Sequence, residues 1–205
     1  MATTKSKASR LHTPEGTACF VTVHSPKART NKKGEPVGDP KYSLVLCFDE
    51  DADLSELKAA AKAVGIERFG PDFAAGVKKG KYNWPFRDNE EYEENGYPFT
   101  EPGTFVSFKS TDRPGIVDEN ADPIMDKSEF YSGVKCRVSC KAFAYDNESK
   151  GVAFGLVNIQ KLGDGERLAG NPNAEDDFGA SKSKSKSKAK GKAREDDDED
   201  DDDLL

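Results

Sequence analysis

The chain has 205 residues, of which 31 are Lys or Arg and 38 are Asp or Glu, for a formal net charge of −7 and 35% hydrophobic content. No apolar run is long enough for a signal peptide or a membrane-spanning helix, so a soluble intracellular protein is expected. The acidic total also excludes adhesion to polyanions through overall charge, so any anion-binding surface has to be a local cluster of cations.

Residues 1–14 are rich in Thr, Ser and Lys and predict a flexible start. The run TACFVTVH (17–24) alternates β-branched and aromatic residues as a strand does. A segment punctuated by Pro and Gly follows, carrying Lys27, Arg29, Lys32, Lys33 and Lys41. It predicts a projecting hairpin arm. YSLVLCF (42–48) is the returning strand, with Leu44, Leu46 and Phe48 on one face and Val45 and Cys47 on the other. Leu54, Leu57, Ala61 and Val64 then keep helical spacing, with Asp53 placed to cap the helix and Gly65 to end it. The expected role of this helix is to plug one end of a sheet.

From 66 to 98 no period is legible, and a stretch of that length inside a compact domain is usually functional or mobile. Its centre, KKGKYNWPFR, interleaves Lys78, Lys79, Lys81 and Arg87 with Tyr82, Trp84 and Phe86. Cations in such a pattern track phosphates, and flat rings stack on unpaired bases for roughly 1 to 3 kcal/mol each. The alternative is that the rings anchor a long loop on the core, and composition leaves both open. A strand is expected over 104–109, followed by a turn-rich connection with Arg113 and Ile116. In the long strand-like run 130–145, Val134, Cys136, Val138 and Cys140 alternate with Lys135, Arg137, Ser139 and Lys141. The cationic face is either a DNA contact or a solvated surface. Asp146 and Asn147 open a turn, and 151–162 returns as the closing strand.

Cys19, Cys47, Cys136 and Cys140 read as small core thiols without disulfides. Cys136 and Cys140 lie within a strand pattern rather than in the tight turn that a zinc site favours. His12 and His24 are isolated, there is no phosphate-binding loop, nucleophile elbow or metal-binding His motif, and GDGE (163–166) is a tight turn. The acidic runs at 49–53 and 88–94 read as solvated faces rather than a Mg²⁺ site. The expectation is a protein that is not an enzyme and holds no metal or cofactor.

Five strands and one helix, joined by hairpin-like connections, predict an all-β protein: an OB-fold-like five-stranded barrel with one inserted helix, with a β-sandwich as the competitor. The end of the chain cannot join that core. Residues 179–194 carry seven cations, and Glu195, Asp196, Asp197, Asp198, Glu199, Asp200, Asp201, Asp202 and Asp203 follow without interruption before Leu204 and Leu205. Dense charge with little apolar surface cannot offset the entropy of ordering, so a disordered tail is expected. The predicted organisation is a flexible start (1–14), a binding domain (15–178), a basic Lys-Ser linker (179–194) and an acidic tail (195–205). A tail of one sign needs a partner of the other, either a basic groove on its own body or a basic patch on another protein.

The succession YSGVKCRVSCKAFAYDN, KGVAFGLVNIQKLGDGERLAG and NAEDDF, including Gly155, Leu156, Asn158, Ile159, Gln160, Asp164, Gly165, Glu166 and 174–178, resembles a phage single-stranded DNA-binding protein family formerly catalogued as a domain of unknown function. The resemblance implies an OB-fold that coats single strands during phage replication, recombination and repair, in the cytoplasm of the infected cell. It further implies an acidic tail that competes with DNA for the groove and docks on phage or host polymerase, helicase or recombination factors; a homodimer stays open. The terminal Leu204 and Leu205 depart from the aromatic ending of better-known relatives, and the Lys-Ser repeat is unusual. The rival reading is an acidic-tailed DNA mimic or chaperone-like protein that grips basic partners. Such a protein has no need for the cluster at 78–87.

Overall fold

A computed structural model describes residues 10–31, 33–88 and 103–168. The chain divides into two units, Met1–Gly170 and Asn171–Leu205, and every described residue belongs to the first. Lys32, the predicted linker and the acidic tail from Glu195 to Leu205 lie outside the described residues.

In chain order the elements are β1 (Leu11–His12), β2 (Gly16–Cys19), β3 (Lys27–Thr30), β4 (Pro36–Asp49), α1 (Ser55–Phe69), α2 (Phe73–Lys78), β5 (Phe86–Asp88), β6 (Gly103–Ser110), β7 (Gly115–Val117), a 3-10 turn (Lys127–Glu129), β8 (Lys135–Asp146) and β9 (Lys150–Gly163). β2 pairs with β4, β4 with β6, β6 with β9, and β9 with β8, which returns to β2. The ring is closed. Its five strands are those expected from the sequence, all neighbours antiparallel except β6 and β9. Closure is what separates this OB-like barrel from the sandwich, because it leaves none of the five without a partner on either side. The short strands β1, β3, β5 and β7 hang on β8, β4, β6 and β9.

Register sets the two faces. Leu44↔Phe108 and Leu46↔Val106 point inward and are fully buried. Between them Ser43↔Lys109, Val45↔Ser107 and Cys47↔Phe105 point outward. A slip of one residue would reverse every one of these. Along β8, Cys136, Val138, Cys140 and Ala142 alternate inward without a break, and the register shift between Ser139 and Cys140 skips Val157 of β9, which lets both Ile159 and Leu156 face the core; Ser139 is buried as well, and its Oγ accepts from Asn158 N at 3.1 Å. The interior is rich in Phe, with Phe48, Phe73, Phe108, Phe130 and Phe154 all fully buried.

Several local expectations are corrected. The first strand stops at Cys19, because Phe20 takes a left-handed backbone at φ 49. The strand expected from 130 begins only at Lys135, just beyond Gly133 at φ 122. α1 runs through Gly65 to Phe69; Gly65 is a packing site rather than a stop, since a Cβ there would lie 2.2 Å from the Phe73 ring. The helix ends instead at Gly70, at φ 91. Asp53 Oδ1 accepts from Ser55 N at 2.9 Å, but the cap position itself is Leu54. A second helix, α2, forms in the stretch that showed no period. Leu57 and Ala61 of α1 and Phe73 of α2 join the barrel core.

The four cysteines are buried. Burial pushes the thiols of Cys136 and Cys140 up to about 12. Cys19 and Cys47 meet with their sulfurs 3.3 Å apart in a small outer cluster with Phe105, against which Val45 and Leu168 pack. After β9 the GDGE segment folds back on the barrel. Leu168 N donates to Ser132 O at 2.9 Å, Tyr131 Oη donates to Gly165 O at 3.0 Å, and the Arg167 guanidinium lies 3.9 Å over the Tyr131 ring.

Candidate nucleic-acid interface

The outward rows of β4 and β6 form the floor of an open cleft of about 1160 Å³. Ser43, Val45, Phe105, Ser107 and Lys109 supply that floor. The arm made by β3 and β4 raises one wall, with Arg29, Thr30 and Lys41 turned into the cleft. Trp84, Pro85 and Arg87 form a second wall, and Phe143, Tyr145, Ala153 and Gly155 of the β8–β9 hairpin a third. Phe20 also lines the cleft and is 41% exposed.

Strand parity explains how the stretch 84–87 divides. β5 pairs Phe86 with Val106, on the inward face, and Arg87 with Phe105, on the outward face. Asn83 then fixes the approach to β5. Its N–H donates to Lys150 O at 2.8 Å, its carbonyl accepts from Val152 N at 3.2 Å, and Nδ2 donates to Tyr145 Oη at 3.0 Å. Trp84 is thereby tied to the β8–β9 hairpin.

Arg29, Lys41, Arg87 and Lys109 converge although they come from four strands. The Lys109 ammonium is held below the ordinary lysine value of 10.5, first by partial desolvation and then by repulsion from Lys41, Arg29 and Arg87. Among the described residues the ion pairs are Arg68–Asp146, Lys150–Asp146 and Lys161–Asp164, and none uses these four cations. The cleft is a positive site with rings at its sides, suited to an anion that also carries flat apolar groups.

The residues singled out from sequence are thus sorted. Arg29, Lys41, Trp84 and Arg87 line the cleft. Lys27 stands at the base of the arm opposite Lys41, and Lys33 in its tip, where Asn31 Oδ1 accepts from Lys33 N and Glu35 N. Lys78 and Lys79 end α2, and Lys81 lies 5.1 Å over the Tyr82 ring; none of the three lines the cleft. Two of the expected stacking rings are committed elsewhere. Phe86 is buried in the core with its edge toward Phe154, centroids 5.7 Å apart. Tyr82 stacks on Phe69 at 4.7 Å and fits against Gly76, where a Cβ would come within 2.4 Å of its ring. Phe86 is covered by protein and half-buried Tyr82 packs on α1 and α2, as in the anchoring alternative; Trp84 is also half-buried, with centroids 6.2 Å from Phe73 and 5.3 Å from Phe86, but it lines the cleft. Lys135 Nζ donates to Thr17 Oγ1 at 2.9 Å and Arg137 Nε to Gln160 Oε1 at 2.8 Å, both away from the cleft.

Sequence reasoning missed Lys109, Phe20, Phe143 and Tyr145. The signal for Lys109 was its parity, outward on a strand whose Val106 and Phe108 point in. For Phe143 and Tyr145 it was continuation of the Lys135 to Lys141 alternation. No local signal marks Phe20. Among the described residues no helix is long and apolar enough to cross a membrane.

Residues 13–190 match the protein family described as Enterobacter phage Enc34, ssDNA-binding protein. The structure is similar to that of the single-stranded DNA-binding protein from bacteriophage Enc34, with TM-score 0.58, 15% identity, and coverage of 82% of this chain and 89% of that one. The same phage protein in complex with ssDNA gives TM-score 0.58 at 17% identity, over 78% and 89% of the two chains. The bacteriophage T7 single-stranded DNA-binding protein gp2.5 gives 0.56 at 15%, over 80% and 97%. At these identities the likeness is one of fold. A curated relative, putative protein p50 of Acyrthosiphon pisum secondary endosymbiont phage 1, is 28% identical over 122 residues; the match takes in 57% of this chain and 65%, less than two thirds, of that protein.

Proposed function

The chain belongs to the family of the Enterobacter phage Enc34 ssDNA-binding protein, and from that premise we propose that it is a non-catalytic single-stranded DNA-binding protein whose groove is the cleft over β4 and β6. The observation that carries the reading is the convergence of Arg29, Lys41, Arg87 and Lys109, unpaired among the described residues, over a floor flanked by Trp84 and Tyr145. In OB-folds this face of the second and third barrel strands, with the flanking loops, is where oligonucleotides bind. The four cations follow phosphates, Lys27 and Lys33 extend the track along the arm, and Trp84 takes a base. None of these contacts reads a base edge, so sequence preference is small. A duplex is disfavoured because its bases already stack on one another.

The finer role follows from charge. The carboxylates from Glu195 to Asp203 compete for the same cations, covalent attachment giving them a millimolar effective concentration. DNA displaces the tail, and the freed tail recruits phage or host replication, recombination or repair proteins in the infected cell. The test is a titration of full-length protein and of a version ending at Ala193 with fluorescent oligo-dT and with duplex of equal length, at low and moderate salt. The expected result is tighter binding to the single strand, strengthened by truncation at low salt, with log affinity falling by about 0.7 per phosphate neutralised for each log unit of salt. Equal affinity of the two versions would defeat the competition. Binding to neither substrate would defeat the reading as a whole and point to basic protein partners for the tail.

A further inference from the structure

The outward face of the barrel continues past Lys109. β6 and β9 run side by side only at Phe108↔Phe154 and Lys109↔Gly155, and β8 lies beyond with Lys141↔Gly155. Lys109, Gly155 and Lys141 therefore stand in one row on three adjacent strands. Their chain neighbours Phe108, Phe154 and Ala142 are buried, which turns the row outward. Strands lie about 4.8 Å apart, so the two lysine backbones are separated by roughly 10 Å with no side chain between them. Each lysine stem can span half of that gap.

Three further features meet at this row. A hollow of about 300 Å³ opens beside it, lined by Ser110, Asp112, Lys141, Gly155, Leu156 and Val157, and it shares Ser110, Gly155 and Leu156 with the main cleft. Phe143, two residues along β8 on the same face, is 45% exposed. Its ring borders the glycine, since a Cβ on Gly155 would lie 3.8 Å from Phe143 Cε1. Among the ion pairs of the described residues none involves Lys141 or Asp112.

We propose that this row is a nucleotide subsite at the exit of the groove: Lys109 and Lys141 hold one phosphate above Gly155, Phe143 takes the adjoining base, and the single strand leaves the cleft across the β6–β9 seam. The inference rests on the reading of the cleft as a single-strand groove and adds the path the strand takes. Glycine at 155 lets a phosphate come close to the sheet, where a branched side chain would fill the slot. Asp112 is the one carboxylate on the lip. Set against two lysines it leaves the site positive, and its charge opposes the phosphate.

The experiment is a series of oligo-dT lengths titrated at several salt concentrations against the full chain and its Lys141→Ala, Phe143→Ala, Gly155→Val and Asp112→Asn variants, with circular dichroism reporting the fold. With oligonucleotides long enough to run from the arm to the seam, Lys141→Ala raises Kd several-fold and makes the salt slope shallower by about 0.7. Phe143→Ala raises Kd by about five-fold or more and leaves the slope unchanged. Gly155→Val weakens binding without a change of charge, and Asp112→Asn tightens it. With the shortest oligonucleotides that bind, held at the denser cation cluster near the arm, Lys141→Ala and Asp112→Asn, whose side chains border the hollow and not the main cleft, behave as wild type. Long oligonucleotides bound equally by wild type, Lys141→Ala and Phe143→Ala would overturn the subsite alone, as would a Lys141→Ala loss of the same size at every length. A wild-type chain that binds no single strand would overturn the groove reading, and the subsite with it.

Discussion

β8 carries the same kind of sequence in its two halves, and they end in different situations. In the first half Lys135 and Arg137 keep their charge but each donates a hydrogen bond within the protein, to Thr17 Oγ1 and to Gln160 Oε1. Gln160 is itself anchored by donating to the carbonyls of Asp118 and Glu119. In the second half Phe143 and Tyr145 continue the outward parity and border the open cleft, and Lys141 borders the hollow that adjoins it. What separates the two halves is whether neighbouring strands bring neutral acceptors that hold the cationic side chain or rings and an open surface beside it. The segment 82–87 repeats the contrast at shorter range, with Phe86 turned into the core and Arg87, one residue on, turned into the cleft.

The largest effect that sharpens this contrast is on stability. Phe86→Ala removes a core ring and is expected to cost about 3 to 5 kcal/mol in denaturant unfolding. Trp84→Ala also gives up packing on Phe73 and Phe86, but it alone of the two loses roughly 1 to 3 kcal/mol of single-strand affinity if its ring takes a base. Equal loss of affinity in the two, measured on folded protein, would erase the distinction between core and cleft rings. Next comes charge. Removing Arg29, Lys41 and Arg87 together should weaken binding at low salt on the order of 100-fold and reduce the salt slope by about 2, that is 0.7 for each of three phosphates. The double variant Lys135→Ala with Arg137→Ala should change Kd by less than about two-fold, since neither side chain lines the cleft and each is held by a neutral acceptor elsewhere. Comparable losses would break the comparison between the halves of β8.

The smallest effect is one of pH. Partial desolvation and the repulsion of Lys41, Arg29 and Arg87 lower the Lys109 value in the folded chain below 10.5. Between the lowered value and 10.5 the unfolded chain therefore binds more protons than the folded one, and the contribution of this group to stability rises with pH across that window. DNA acts in the opposite sense, because a phosphate favours the charged ammonium. Single-strand affinity should fall as pH climbs through that window, with proton uptake on binding, while ordinary lysines are still charged. Lys109→Arg should remove this early fall. A profile identical to wild type would place Lys109 away from the phosphates.

The sequence by itself determined the five barrel strands, the helical spacing of Leu54, Leu57 and Ala61, and the inward parity of Leu44, Leu46 and Phe48, because alternation and helical period are local records of which face meets a core. It also determined that the arm is cationic. Only the tertiary structure decided that Gly65 is a packing contact, that Tyr82 and Phe86 are anchors, and that Arg29, Lys41, Arg87 and Lys109 share one cleft. Those outcomes depend on which strand lies beside which and in what register. Closing the barrel brings Lys109 next to Arg29, eighty residues earlier in the chain. A local period cannot encode a neighbour that far away, because the pairing is fixed only when all five strands meet around one core.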